Sequence, residues 1–150
     1  MINVHKAVKA DSRSAGDELT PKQLLTDTNS HIKDVSKGMD FIAELIMNRG
    51  TTHDHTKVKD INTFYDALTS GDIKNSFWYQ NHITRERHHL KSKEPDDVNL
   101  VDVIEHIVDC TMAGLTRSGN IYDIDLPSDL LIRAVNNTVE LLKDNINVID

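Results

Sequence analysis

The chain has 150 residues, 38% of them apolar and 27% charged, with a formal net charge of -7. That size and balance fit one globular domain with its own core and exclude a disordered chain. The negative charge argues against sequence-independent grip on nucleic acid, which depends on neutralising phosphates. A single cysteine, Cys110, excludes an internal disulfide framework and points to a reducing compartment. No apolar run has the length of a signal peptide or a bilayer span, so a soluble, cytoplasmic protein without a membrane partner is expected.

Residues 1–18 read as a loose arm, with a short extended piece at Ile2–Val4. Residues 19–150 read as one helical domain. Thr20 can cap a helix that Pro21 begins. Leu24, Leu25, Thr28, Ile32, Val35, Met39, Ile42, Leu45 and Ile46 step by three and four, which keeps one stripe on one face. This is one long helix or two with a break near Asn29–Ser30, stopped by Gly50. "TTHDHTK" follows as a turn or a short helix. Asp60 can cap a helix with Ile61, Phe64, Tyr65 and Leu68 on its apolar side, and residues 75–85 give another that packs Phe77, Trp78 and Ile83. After the loop "HHLKSKEPDD", residues 98–115 form a strong helix with a stripe of Leu100, Val101, Ile104, Ile107, Val108, Thr111 and Leu115. Ser128 caps a last helix packed through Leu131, Val135, Val139 and Leu142. Met39, Met47 and Met112 are expected as core fillers. Strand signals are nearly absent, so the expected fold is all-α, a single compact domain of five to seven helices.

Eight histidines are many for this length. Imidazole nitrogens and carboxylate oxygens together suit transition metals, and also Mg or Mn. His53 and Asp54 are adjacent. At a helix end both side chains can converge on one ion. Asp109 lies roughly 140° from the centre of its helix's apolar stripe, at about 100° per residue. Asp102 and His106 share that polar side, which is either the wall of a cleft or solvated.

His31, then His53-Asp54, then Asp109 resembles the H…HD…D signature of the HD-domain superfamily, all-α metal-dependent proteins that are mostly phosphohydrolases. "THDHTK" is similar to the family's His-Asp-x-x-Lys segment, with Lys57 as the lysine. "YQNHITRERHHL" resembles the extra-histidine segment of members that hold two or more metals, and "IEHIVDCTMAG" resembles the helix that delivers the last aspartate. The set is most similar to a small phage and bacterial family of HD-like proteins with no assigned activity, over residues 29–120. The resemblance implies that His31, His53, Asp54 and Asp109 hold a first divalent ion (Mn, Fe, Co, Ni, Zn or Mg). It further implies that His88 or His89, with His82, hold a second ion or touch phosphate.

Arg85, Arg87, Lys91 and Lys93 put four positive charges beside His88-His89, a local field that could attract a phosphorylated substrate. The leading expectation is a metal-dependent phosphohydrolase acting on a nucleotide or another small phosphate ester. Asp54 and Lys57 would serve the chemistry, and Arg85, Arg87 and Lys91 the substrate. Two further readings stand beside it: an HD-like di-iron oxygenase, and a non-catalytic accessory or inhibitor protein, phage-encoded, whose metal site is structural. A homodimer is left open.

Overall fold

The computed structural model of the chain describes residues 1–5 and 20–149. Most of the expected N-terminal arm therefore lies outside the described residues. The architecture is all-α: α1 (Pro21–Thr52), α2 (His55–Lys59), α3 (Ile61–Thr69), α4 (Phe77–Arg85), α5 (Leu100–Ser118) and α6 (Ser128–Asn145), with a short 3-10 turn at Ile73–Asn75. Among the described residues no helix is long and apolar enough to cross a membrane. By contacts the chain divides into two compact units, Met1–Glu44 with Glu140–Asp150, and Leu45–Val139.

In the first unit, strand β1 (Ile2–His5) pairs in parallel with β2 (Ile146–Ile149), in the register Ile2 to Ile146. The extended piece at Ile2–Val4 was expected. Its partner was not, because "INVI" follows a helix without a turn signal. Lys37 donates to the Asn3 carbonyl at 2.7 Å and pairs with Asp34 at 2.8 Å. α1 opens on a reciprocal cap: Gln23 N–H donates to Thr20 Oγ1 at 3.3 Å, and Thr20 N–H donates to Gln23 Oε1 at 3.0 Å. The helix is unbroken at Asn29–Ser30 and runs through Gly50. What ends it is Asp54, with φ 54° in the left-handed region, a conformation that Asp tolerates better than most residues. α1 has no buried residue, so its apolar stripe, Met39 and Met47 included, is not core.

The second unit has its core in Leu90, Val98, Val103, Leu130 and Ala134, with Leu100 and Leu126 packed against them. Asn99 caps α5 in a capping box with Asp102. Leu100 N–H donates to Thr138 Oγ1 at 2.9 Å, and Asn137 donates to the Val98 carbonyl at 2.8 Å, which ties α5 to α6. Trp78 stacks between Phe64 and His82, with ring centroids 4.3 and 4.8 Å away. Trp78 and Ile83 are buried as expected, but Phe77 is exposed, as are Ile61, Tyr65 and Leu68.

Two helices turn a different face inward than their apolar pattern suggests. On α6 the buried residues are Leu130, Ala134 and Thr138, one position before the expected stripe. On α5 the inversion is larger. Ile104, Ile107, Val108, Met112 and Leu115 are exposed, while Asp102, Glu105, His106 and Cys110 are buried. Val101 is buried and Leu100 packs on the core, but from Ile104 onward the expected stripe lies outside, because the polar side has partners inside, described next. Residues 120–122 cross α5 at Gly114, where a Cβ would meet the Asn120 carbonyl oxygen at 2.4 Å and the Tyr122 nitrogen at 2.6 Å. Only glycine permits that approach. Tyr122 N–H donates to the Cys110 carbonyl at 3.2 Å.

Candidate metal centre

Four pieces of the second unit bring the chemistry together. The turn after α1 supplies His53 and Asp54. α2 supplies Thr56 and Lys57. The end of α4 and the turn beyond it supply His82, Glu86, His88 and His89, and α5 supplies Glu105 and Asp109. Among the described residues, two sets of donor atoms are close enough to hold a metal ion: His53, His88 and Glu105, and Asp54, His88 and His89.

Hydrogen bonds on the far side of the His53 and His82 rings decide which of their atoms face inward. Glu105 Oε1 lies 3.0 Å from His53 Nδ1 and 3.2 Å from His88 Nδ1. A carboxylate accepts, so the hydrogen-bonded His53 Nδ1 is the N–H side and its Nε2 the ligating side. His88 Nδ1 lies beside the same oxygen without a well-formed hydrogen bond. His53 Nε2 lies 3.5 Å from both Asp54 Oδ2 and Asp109 Oδ1. His88 Nε2 lies 3.7 Å from Asp54 Oδ1 and 4.0 Å from Asp109 Oδ2.

His82 is held the same way by a relay. Thr56 Oγ1 is 2.6 Å from His82 Nδ1 and donates its own proton to Glu86 Oε1 at 2.6 Å. The imidazole Nδ1–H must then be the donor to Thr56, which leaves Nε2 bare. That Nε2 sits 3.5 Å from Asp54 Oδ1 and 2.8 Å from His89 Nε2. Glu105 Oε1 therefore orients the His53 ring, while its Oε2 is buried and free to join the donor set with His53 and His88.

Two donor sets thus share His88, one with His53 and Glu105 and the other with Asp54 and His89, and His82 and Asp109 border them. Asp54 Oδ1, both ring nitrogens of His88 and Glu105 Oε2 are buried without a hydrogen-bond partner. Such atoms carry a desolvation cost that a bound cation would remove. The electrostatics fit the same occupant. Asp109 and then Glu105 raise the His53 pKa to about 10, so an imidazolium answers the surplus of acid. His53 in turn holds Asp109 at about 2. Burial pushes Glu105 up, but its bonds with His53 and His88 outweigh that and hold it at about 2. Burial, then the neighbouring His88 and His82, bring His89 down to about 4, leaving it neutral and able to ligate. Lys57 pairs with Asp54 Oδ2 and, with the neighbouring histidines, offsets the burial that would raise that carboxyl.

The other expected site residues fare differently. His31 is exposed on α1. It belongs to neither donor set. The basic residues beside His88-His89 are engaged with acids. Arg87 grips Asp102 through two bonds of 2.8 Å and Asp97 through another of 2.8 Å. Lys91 pairs with Asp123, and Arg85 lies 3.5 Å from Asp60.

Sequence reading missed Glu105, Thr56, Glu86 and Arg49. Glu105 carried a usable signal, because it stands one turn before Asp109 and so shares its face. No family model matches the chain, and no curated protein or solved structure matches it.

Proposed function

We propose that the chain is a metal-dependent hydrolase of phosphate esters, with His53, Asp54, His82, His88, His89 and Asp109 as the ligand set. One observation carries the reading. Two donor sets that share His88 stand side by side, bordered by His82 and Asp109, and the His53 and His82 rings are held from behind at Nδ1. The H…HD…D resemblance supports it through His53, Asp54 and Asp109. A divalent ion here would lower the pKa of a bound water and polarise a phosphoryl oxygen. The chain's own residues do the rest. Glu105 and the Thr56–Glu86 relay set ring tautomers, and Lys57 fixes the Asp54 carboxylate. Asp54, Glu86, Glu105 and Asp109 make the centre too acidic for a phosphate to approach without a cation.

The test is elemental analysis of protein purified without added metal, beside Asp54→Asn and His88→Ala, with circular dichroism to confirm the fold. The expected result is at least one divalent ion in the parent chain, absent from both folded variants. Hydrolysis of p-nitrophenyl phosphate should follow the metal. If no ion is retained, and Mn, Fe, Co, Ni, Zn and Mg all fail to restore one, the reading is lost. An ion without turnover of any phosphate ester would instead favour a structural site.

A further inference from the structure

A cavity of about 260 Å³ opens beside the metal centre, within the second unit. Its walls are Ile46, Val101, Ile104, Val108 and Met112. Its polar end is made by Arg49, His53, Glu105 and Asp109. Val108 and Met112 are more than half exposed, so the mouth is open. Two details mark it as built rather than left over.

First, Gly50 lines it. The residue is helical, without the positive φ that would call for glycine, and a Cβ there would meet nothing within 4 Å. A larger side chain at this position would therefore project into open space on the cavity wall. Second, Arg49 is a third exposed on the same wall and only loosely held. Its Nη2 is 3.4 Å from Asp102 Oδ1 and its Nε is 4.0 Å from Glu105 Oε2, both longer than a charge-assisted hydrogen bond. Asp102 is already gripped by Arg87. Arg49 is thus a cation with capacity to spare, next to His53 and Asp109.

We propose that this chamber is the subsite for the organic half of the substrate, so that the phosphate ester is that of a compact apolar alcohol. Its anionic head lies between Arg49 and the metal-binding edge. Its body fills the chamber. A cavity of about 150 Å³ takes benzene, so this one fits a group of roughly bicyclic aromatic size. The assignment rests on the hydrolase reading for the head-group end only. It moves phosphate recognition from the paired Arg85, Arg87 and Lys91 to Arg49.

Calorimetric binding of 1-naphthylmethylphosphonate and methylphosphonate, neither of which can be hydrolysed, tests it. Both are titrated into the parent chain, Gly50→Leu and Arg49→Met, each with its metal content measured. The naphthyl compound should bind about 10- to 100-fold tighter to the parent chain, from apolar burial alone. Gly50→Leu should retain metal and lose that preference. Arg49→Met should weaken both compounds about tenfold while keeping the preference. Equal binding of the two compounds, or a preference that survives Gly50→Leu, overturns the chamber and leaves the metal centre standing. A naphthyl preference with no ion bound overturns the hydrolase reading and leaves the chamber standing. If a second copy of the chain covers the cavity instead, Gly50→Leu will shift the sedimentation of the protein and the parent chain will show no preference, which also overturns the proposal.

Discussion

The N-terminal two thirds of α1 and the interior of the second unit break the usual rule of burial in opposite directions. Along α1, Leu25, Ile32, Val35 and Met39 are all more than half exposed. In the second unit Thr56, His82, Glu86, His88, Asp102, Glu105 and His106 are all under a tenth exposed. Exposed apolar groups cost a folded chain little, since most protein surface is apolar anyway. Buried polar groups are costly unless each finds a partner. The second unit meets that condition almost everywhere, through Arg87 on Asp102, Glu86 on Thr56 and His106 on the His88 carbonyl at 2.9 Å. Where it leaves atoms without a partner, at Asp54, His88 and Glu105, the candidate metal centre stands. The difference teaches that unmet polar atoms point to function here more clearly than bare apolar ones.

The comparison can be attacked from its strongest side first. Arg87→Met leaves the fully buried Asp102 carboxylate without its guanidinium. It should cost about 3–5 kcal/mol, read by urea denaturation. A loss under about 1 kcal/mol would mean that the buried charges are not held as a network. Thr56→Val removes the link between His82 and Glu86. It should cost about 1–3 kcal/mol and weaken metal binding in the protein that still folds; unchanged metal affinity would show that the relay does not set the ring.

The acid cluster makes a pH prediction for the metal-free protein. The folded His53 value of about 10 lies above the ordinary 6.5. Its stabilisation is therefore complete below about pH 6.5 and fades as pH rises through about 10. The thermal midpoint after chelation should fall across that window, and His53→Gln should flatten the fall. A parent curve already flat there would refute the pairing with Asp109 and Glu105. The smallest effect belongs to α1. Met39→Lys should change stability by no more than about 0.5 kcal/mol at any protein concentration. A larger loss that grows on concentration would show that a second copy covers the stripe, and the contrast between the regions would then belong to the monomer alone.

Much of the fold was legible in the sequence, because helix periods, Thr20, Pro21 and Ser128 mark helices locally. The sides they turn inward were harder to read. α5 carries an apolar stripe and a polar one, and periodicity cannot say which is buried when the polar one has partners on other elements. Asp109 was therefore placed correctly on its helix but left between cleft and solvent. The His53-Asp54 and His88-His89 pairs stood out as rare local clusters. His31 stood out equally and belongs to neither donor set; a motif spacing cannot tell whether a helix continues between its members. Glu86 and Thr56 carry no such mark. Their role exists only because the α4 turn returns to α2, which is a tertiary fact.

Cys110 offers a use of a different kind. Its thiol is buried, with Sγ 3.8 Å from His106 Nε2, and burial raises its pKa. Tyr122 N–H is bonded to its carbonyl. A thiol reagent can reach so buried a sulfur only when the structure around it opens. The lone cysteine is therefore a native stopwatch: its labelling rate reports how often the wall behind Asp109 opens, with no probe to install.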